Sequence, residues 1–245
     1  NIKKILAIET KSKSVFNRFF TLYSKITKKI VISKSIEDAE TAKVIENIQR
    51  DLNIALMNDI FLFSKRMDLN FQNIIRLART KWNFLKFNPG LVGGHCLPVD
   101  PYYLSYIAKQ NNINLETVLA GRSVNEKMKN IIYGMIVKKI SLIKKYKKNF
   151  KTLIVGITYK NDVADLRNSY PLSIYLRLKK KFKEVYAYDY VCSANDQKKF
   201  SILNSISSIN KFELVVFLVK HSKNLKIFNL AKKNNLKILD PFDFY

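Results

Sequence analysis

The longest periodic pattern in the chain lies between residues 35 and 65. Apolar residues recur there at steps of three and four, as they do on one face of an α-helix: Ala39, Ala42, Ile45, Ile48, Leu52, Ala55, Leu56, Ile60 and Phe63. The pattern starts at Ser35-Ile36-Glu37-Asp38, which resembles a helix-capping box. We therefore predict one helix over residues 35–65. Such a length predicts that the helix connects two domains or packs against a second copy of the chain.

Shorter patterns lie on both sides of this helix. Residues 4–8, 12–26 and 29–32 predict a strand, a helix and a second strand, a unit too short to be a domain. Further helices are predicted over residues 70–79, 102–110 and 115–143. The last contains Gly121 and Gly134, near which we expect it to be interrupted or reoriented. Residues 35–145 are therefore predicted to be mainly helical.

The pattern changes after residue 150. Short β-rich runs at residues 152–156, 185–188, 214–219 and 236–239 alternate with helical stretches. This alternation is typical of a parallel sheet with crossover helices. A lysine-rich connection at residues 144–149 marks the predicted boundary. The fold class is therefore predicted to be α/β, with a helical central part followed by a parallel-sheet domain.

Composition narrows the class of protein further. The chain has 245 residues, 47% of them hydrophobic and 26% charged, a balance typical of a folded globular protein. No apolar run reaches the roughly 18 residues needed to span a membrane. With two cysteines and two histidines, neither a disulfide framework nor a structural zinc site is expected, and a cytoplasmic location is predicted.

The net charge of +25 favours partners that carry phosphate. However, the lysines are spread along the whole chain, and no run alternates basic with aromatic residues as a base-stacking surface does. We interpret the charge as a compositional bias and expect no nucleic-acid partner and no membrane partner.

A glycine-rich stretch at residues 88–104 carries the clearest sign of chemistry. It reads NPGLVGGHCLPVDPYYL and holds three of the six glycines of the chain. Glycine permits tight turns and a close approach of the backbone to a ligand, so Cys96 is a candidate nucleophile. The alternative is a small buried thiol. His95 is adjacent in sequence, but neighbouring side chains usually point apart, so we expect it to be structural or to line the substrate site.

Three polar residues near this loop or on the long helix are further candidates. Lys43 and Asn47 are four residues apart on the predicted helix, so they share one face and are able to present an ammonium and an amide to one ligand. The alternative is a solvated polar face. Asp100 follows Cys96 by four residues and either orients a water or proton acceptor or caps the next helix.

A second informative stretch, GITYKNDVADLRNS at residues 156–169, follows the first strand of the C-terminal sheet. Ligands of open α/β sheets bind at the carboxyl ends of the strands, so Lys160 and Arg167 are predicted to meet phosphates there. The pattern Gly-x-Gly-x-x-Gly is absent from the chain, so this stretch is not a dinucleotide fingerprint.

Five stretches together resemble the UDP-glucose/GDP-mannose dehydrogenase family, and in particular its branch that oxidises UDP-N-acetylhexosamines. They are AETAKVIEN at residues 39–47, TKWNFL at 80–85, PGLVGGHC at 89–96, VDPYYL at 99–104 and DLRNS at 165–169. Their order and spacing fit the family from about residue 1 to the C-terminus. Val99 stands where some relatives that oxidise UDP-glucose carry a lysine, which fits the hexosamine branch.

The resemblance implies an NAD-dependent enzyme that converts the sugar C6 alcohol to a carboxylate with two molecules of NAD. The reaction passes through an aldehyde, a thiohemiacetal and a thioester on Cys96. It implies that Lys43 and Asn47 stabilise the developing oxyanion, and that Asp100 assists proton transfer or water activation. It also implies a set of residues that cradle the substrate: Leu85, Lys86, Phe87, Asn88, Pro89 and Gly93. Lys160 would hold the UDP diphosphate and Arg167 would contact NAD phosphates across domains.

The resemblance also implies a division into three parts. Residues 1–33 would be the remnant of an N-terminal NAD-binding Rossmann domain whose glycine-rich part is missing, so we expect the chain to be a piece of a longer enzyme. Residues 34–145 would form the central dimerisation domain with the cysteine loop, and residues 146–245 a Rossmann-like UDP-binding domain. A homodimer that makes a uronate for a surface polysaccharide is implied.

Two other functions stay open at this point. A chain that keeps the cysteine loop and the UDP site without the main NAD site is also consistent with a non-catalytic nucleotide-sugar-binding remnant. A basic nucleic-acid binder is the third reading, and it predicts salt-sensitive binding to duplex DNA. No motif reports which hexosamine epimer is used.

Overall fold

The structure is a computed structural model that describes residues 5–7, 10, 12–27, 30–144 and 150–245. The chain divides into two units, Asn1–Arg50 and Asp51–Tyr245. The predicted ends of the first two strands at residues 4, 8 and 29, and most of the predicted boundary at residues 144–149, lie outside the described residues.

The first unit contains a short strand-helix-strand motif. Its elements are β1 (Ile5–Ala7), α1 (Lys13–Ser24) and β2 (Ile30–Ile32), and β1 pairs with β2 in parallel. Helix α1 begins after Ser12, whose hydroxyl accepts the N–H of Val15 at 3.4 Å. These elements confirm the strand-helix-strand prediction within the described residues.

The predicted long helix is confirmed as α2 (Ile36–Arg66), which runs through the boundary between the units. It starts after Ser35, whose hydroxyl accepts the N–H of Asp38 at 3.0 Å, the N-terminal contact that the capping pattern predicts. Glu37 and Asp38 lie in its first turn and Lys65 and Arg66 in its last, so the charges at both ends complement the helix dipole.

The second unit continues with three helices before its sheet: α3 (Phe71–Ala78), α4 (Asp100–Gln110) and α5 (Glu116–Lys144). The predicted interruption of the last helix is wrong, because α5 is continuous through Gly121 and Gly134. At Gly121 a Cβ atom would collide with Cδ2 of Leu52, so this glycine allows α5 to pack closely on α2. At Gly134 a Cβ atom would meet nothing within 4 Å.

The C-terminal part is a five-stranded sheet in the order β5-β4-β3-β6-β7, with every pairing parallel. Its elements, in chain order, are β3 (Thr152–Val155), α6 (Tyr170–Lys181), β4 (Val185–Tyr188), α7 (Ala194–Phe200), β5 (Ile202–Leu203), a 3₁₀ helix (Ile209–Lys211), β6 (Leu214–Phe217), α8 (Asn224–Lys233) and β7 (Lys237–Leu239). The α/β prediction and four of the strands are confirmed, whereas β5 was not predicted.

Two hydrophobic cores cover the faces of this sheet. Alternate residues of β3 point to opposite faces, so Ile154 joins one core and Leu153 and Val155 the other. The first core is continuous with the helices, because it also contains Met128, Ile132 and Ile136 of α5. The central helices and the sheet of the second unit therefore share one buried interior. Among the described residues, no helix is both long and apolar enough to cross a membrane.

Candidate active site

Cys96 lies on an irregular loop between α3 and α4. It is unpaired and partly exposed, and the neighbouring His95 is exposed. The carbonyl oxygen of Cys96 accepts the N–H groups of Val99 and Asp100, both at 2.9 Å. Asp100 is the first residue of α4 instead of its cap, a position held by Val99 without a side-chain hydrogen bond. The start of α4 therefore fixes the backbone at the thiol.

A buried asparagine holds the first end of the loop. The Asn58 side chain on α2 accepts the Gly90 N–H at 2.9 Å and donates to the Gly90 carbonyl at 3.1 Å. The same amide donates to Oδ1 of Asn125 on α5 at 2.8 Å. Because both polar groups of Gly90 bond to one rigid side chain, the loop is fixed relative to two helices at this residue.

A buried ion pair holds the other end. Nη1 of Arg122 on α5 donates to Oδ1 of Asp51 at 2.6 Å and to the carbonyl of Leu97 at 3.4 Å. Asn125 donates to the carbonyl and to Oδ1 of Asp51, at 2.9 and 2.8 Å, which joins this pair to Asn58. Burial raises the pKa of Asp51 even though Arg122 opposes the shift. One connected polar network thus anchors the backbone before and after Cys96.

Two adjacent glycines place the loop against the C-terminal domain. Gly94 donates its N–H to the carbonyl of Asn168 at 3.4 Å, and Asn168 Nδ2 donates to the Gly94 carbonyl at 3.1 Å. A Cβ atom at Gly93 would lie 2.5 Å from the Asn168 carbonyl oxygen. Gly94 has φ of +93°, and a Cβ atom there would lie 2.7 Å from the Tyr159 ring. Only glycine fits at these two positions without displacing the neighbours.

Arg167 lies on the loop between β3 and α6 and is held by Asp165. Its Nε donates to both carboxylate oxygens of Asp165 at 3.0 Å, and its Nη2 donates to Oδ2 at 2.6 Å. These hydrogen bonds lower the pKa of Asp165 to about 2. The pKa of Arg167 is raised, chiefly by Asp165 and to a smaller extent by Tyr159 and Cys96. The Arg167 side chain is 69% exposed, so a positive charge is presented to ligands beside the cysteine loop.

A cavity of about 390 Å³ lies between the cysteine loop, α3 and the ends of the sheet strands. Its walls include residues 88–91 from the loop, Tyr159 and Asn161 after β3, residues 218–220 after β6 and residues 242–244 at the C-terminus. Two cationic residues, Arg79 and Lys220, also line it. This volume lies in the range of ordinary small-molecule sites.

Arg79 and Lys220 are cavity residues that the sequence did not single out. Arg79 Nη2 donates to the carbonyl of Phe87 at 3.0 Å and to Oδ1 of Asn88 at 2.7 Å. Its Nε is buried and has no hydrogen-bond partner in the described part of the chain. Lys220 follows β6 just as Lys160 follows β3. Because ligands bind at the carboxyl ends of strands, the argument that predicted Lys160 could also have predicted Lys220. No comparable signal marked Arg79.

The predicted substrate residues divide into two groups. Asn88 and Pro89 line the cavity, and Gly93 is packed against the C-terminal domain. Leu85 and Lys86 are exposed, and Phe87 is partly buried against the main core. Lys160 is exposed, and the described cavity wall contains its two neighbours but not Lys160 itself.

Lys43 and Asn47 belong to the first unit, on α2. The Lys43 ammonium lies 3.7 Å from the Glu46 carboxylate, and its side chain is 62% exposed. Asn47 is buried. The second unit brings together Cys96, Asp100, the 88–89 part of the substrate loop, Gly93 and Arg167.

The comparisons with known proteins agree with this architecture. Residues 37–127 match the central domain of the UDP-glucose/GDP-mannose dehydrogenase family, and residues 153–242 match the UDP binding domain of the same family. The chain therefore belongs to the UDP-glucose/GDP-mannose dehydrogenase family.

The curated relatives include a protein named CapL and several nucleotide-sugar dehydrogenases. The chain is 38% identical over 200 residues to protein CapL from Staphylococcus aureus, which covers 81% of this chain and 47% of CapL. It is 37% identical over 204 residues to UDP-N-acetyl-D-glucosamine 6-dehydrogenase from Pseudomonas aeruginosa, covering 82% of this chain and 48% of that protein. The chain thus spans about half the length of the curated relatives it matches.

Solved structures give the same result. The fold is similar to that of the UDP-N-acetyl-mannosamine dehydrogenase Cap5O from S. aureus, with a TM-score of 0.75 and 28% sequence identity. That match covers 96% of this chain and 53% of Cap5O.

Proposed function

We propose that this chain is part of an NAD-dependent UDP-N-acetylhexosamine 6-dehydrogenase. Membership of the family and the names of the relatives support this substrate class. The observation that carries the proposal is the cysteine loop itself. It is anchored at Gly90 and Leu97 by one buried network, it forms a wall of a nucleotide-sized cavity, and it holds a partly exposed thiol.

In the proposed reaction Cys96 is the nucleophile. After the first oxidation, its sulfur adds to C6 of the sugar aldehyde and forms a C–S bond, which gives a thiohemiacetal. Loss of hydride from that carbon, together with the proton of its hydroxyl group, leaves a thioester. Water then attacks the thioester and breaks the C–S bond, which releases the carboxylate and restores the thiol. Asp100, four residues further along at the start of α4, takes the role of activating this water or moving its proton.

Lys43 and Asn47 are proposed to stabilise the oxyanion. Both residues lie on α2 one helical turn apart, Lys43 exposed and Asn47 buried, so an ammonium and an amide stand on one side of the helix. A fixed cation beside developing negative charge in a dry site contributes several kcal/mol in general.

The nucleotide is proposed to bind in the cavity. Asn88 and Pro89, together with Leu85, Lys86, Phe87 and Gly93, form the substrate loop, and Lys160 holds the diphosphate. The structure adds Arg79 and Lys220 to the candidates, because both line the cavity and Arg79 has a buried Nε with no partner among the described residues. Two cations on the wall of a small cavity suit a ligand with two negative phosphates, and the Asp243 carboxylate on the same wall is paired with Lys65.

Arg167 is the residue proposed to contact NAD. Its guanidinium is exposed and already oriented by Asp165, and the next residue, Asn168, bonds to Gly94 of the cysteine loop, so Arg167 suits a phosphate of a cofactor bound at that loop. When bound, NAD supplies the hydride acceptor for both oxidation steps. Residues 1–33 would belong to its Rossmann domain, residues 34–145 to the central domain and residues 146–245 to the UDP-binding domain.

A homodimer built on the central helices is also proposed. Exposed apolar side chains on α2 and α4 support it, because exposed apolar surface of this kind often marks an interface: Leu56, Phe63, Tyr103, Tyr106 and Ile107. Analytical ultracentrifugation tests this directly. The unpaired state of Cys96 and Cys192 is consistent with a cytoplasmic enzyme that serves surface polysaccharide synthesis.

The test joins this chain to a complete N-terminal NAD domain and measures NADH formation with UDP-N-acetylglucosamine, UDP-N-acetylgalactosamine and UDP-N-acetylmannosamine. Turnover with at least one sugar is expected, and Cys96→Ala should abolish acid formation while UDP binding persists. Cys192→Ala is the matched control, because burial raises the pKa of Cys192 to about 12 and removes it from chemistry.

Undiminished acid formation by Cys96→Ala would disprove the nucleophile assignment. UDP binding without turnover by the joined protein would identify a non-catalytic nucleotide-sugar binder instead. Salt-sensitive binding to duplex DNA that displaces UDP sugars would refute both readings.

A further inference from the structure

Two buried residues lie under the loop that carries Lys160. Asp189 follows β4 and His221 follows β6, so both stand at the edge of the sheet where β3 also ends. Both are buried, with 0% and 1% of their surface exposed. A fully buried carboxylate and imidazole require partners, and here those partners are in the loop after β3.

Asp189 holds the beginning of that loop. Its Oδ2 accepts the N–H of Ile157 at 2.7 Å and the N–H of Thr158 at 3.2 Å. Burial alone would raise the pKa of Asp189, but the hydrogen bonds from His221 and from backbone N–H groups outweigh it and lower the pKa. Asp189 is therefore a buried anion that fixes the two residues immediately before Tyr159.

His221 holds the end of the loop, and its bonds define its tautomer. The backbone N–H of Asp162 donates to Nδ1 at 2.9 Å, so Nδ1 carries no proton. The proton of the neutral ring is on Nε2, which lies 3.1 Å from Oδ2 of Asp189 and 3.3 Å from the Thr158 hydroxyl. Both ring nitrogens are thus engaged inside the protein, and His221 has no lone pair left with which to accept a substrate proton.

We infer that His221 is a positioning residue for the nucleotide diphosphate: its Nδ1 fixes the Asp162 backbone and thereby the loop segment 159–161, which presents Lys160. This inference rests on the proposed function. Asp189 brackets the segment on one side and His221 on the other, so Tyr159, Lys160 and Asn161 lie between two fixed points.

The surroundings of Asp162 support this role. Asp162 adopts φ of +56°, a left-handed conformation that is uncommon outside glycine and that aspartate adopts more readily than most residues. Its carboxylate accepts hydrogen bonds from Tyr190 and from the N–H and hydroxyl of Ser222, the residue after His221. The buried His221 ring therefore holds the Asp162 backbone, and the exposed Ser222 holds the Asp162 side chain. A loop that is preorganised in this way binds a ligand without an ordering penalty.

Two variants separate the positioning role from a general loss of stability. His221→Asn keeps a carbonyl acceptor near the place of Nδ1 and gives up the Asp189 partner. His221→Gln reaches the place of Nε2 with a donor and leaves the Asp162 N–H without an acceptor. His221→Asn leaves the buried Asp189 carboxylate without its ring partner, so it should lower the melting temperature at least as much as His221→Gln, which leaves only a backbone N–H unpaired.

UDP affinity, measured by calorimetry on the full 245-residue chain, should differ between them. Without an acceptor for the Asp162 N–H, the segment that presents Lys160 is no longer held, so we expect His221→Gln to bind UDP about tenfold more weakly than wild type and His221→Asn to stay within about threefold. Lys160→Ala should weaken UDP binding in the wild-type background and have a smaller effect in the His221→Gln background, because Lys160 is already displaced there.

Equal UDP affinities for the two His221 variants, or an unchanged effect of Lys160→Ala in both backgrounds, would overturn the inference. Amide hydrogen exchange of the peptide around residues 158–163 tests, without any ligand, whether His221 holds this loop in place. Exchange should rise in His221→Gln and not in His221→Asn. If the wild-type chain fails to bind UDP, the proposed nucleotide site is wrong, and the exchange experiment still shows whether His221 holds the loop.

Discussion

Asp240 carries a buried negative charge that we expect to destabilise the protein at neutral pH. It follows β7 and begins the C-terminal turn that brings Phe242, Asp243 and Phe244 to the cavity. Its Oδ2 accepts the Tyr245 N–H at 2.9 Å, whereas its Oδ1 is buried without a partner among the described residues. Burial raises the pKa of Asp240 to about 6, in spite of neighbouring backbone N–H groups that lower it.

The perturbation is Asp240→Asn, which keeps one oxygen for Tyr245 and removes the charge. Because the folded-state pKa lies above the unfolded value of 3.8, protonated Asp240 stabilises the protein below about pH 4, and this contribution is lost as the pH rises through about 6. The shift of about two units corresponds to at most about 3 kcal/mol. Since Asp240 is partly exposed, solvent screening reduces this to about 1–2 kcal/mol.

Urea unfolding followed by circular dichroism at pH 4 and pH 8 measures the effect. At pH 8 the asparagine variant should be more stable by about 1–2 kcal/mol, or by about 2–8 °C in melting temperature, and at pH 4 the difference should shrink toward zero. Asp243→Asn is the control: it removes an exposed ion pair with Lys65 at 2.8 Å and should lower stability by less than about 1 kcal/mol. A gain that does not depend on pH, or no gain at pH 8, would refute the reasoning.

Three further outcomes are expected. Gly94→Ala should lower stability by about 1–3 kcal/mol in urea unfolding, because φ is positive there and the new Cβ would collide with the Tyr159 ring. Gly134→Ala is the control: its Cβ would meet nothing within 4 Å, so it should raise helix stability by up to about 1 kcal/mol. Arg122→Met should lower stability by about 3–5 kcal/mol, since it leaves an uncompensated buried carboxylate, and a smaller loss would show that Asp51 is neutral. Iodoacetamide followed by mass spectrometry should modify Cys96 and spare buried Cys192, and equal labelling would contradict the structure.

Much of the fold was predictable because its signals are local. The capping pattern at Ser35 and the three- and four-residue periodicity after it define α2 within a residue at each end. Strand β4 follows equally from a short apolar run. The two failures have different causes. Gly121 serves the packing of α5 on Leu52 instead of breaking the helix, and β5, with two residues, is too short to produce a pattern.

The site was predictable only in part, for the same reason. The glycines around Cys96 mark the loop, since a backbone that must approach a neighbour closely leaves a trace in composition. The supporting network leaves none. Asn58 and Asn125 are 67 residues apart, and each resembles a solvated polar position on its own helix. Their burial follows from the packing of α2 and α5, which no single segment encodes.

The double attachment of the cysteine loop has an evolutionary consequence. Asn58 and Arg122 hold the loop to the helices, while Gly93 and Gly94 fit against Asn168 and Tyr159. If the sheet shifts relative to the helices as sequences diverge, the loop shifts with it, and the Cys96 sulfur moves out of place. Under the proposed function, a change of sugar preference should therefore come from side chains on the cavity wall, while the placement of the sheet stays constant.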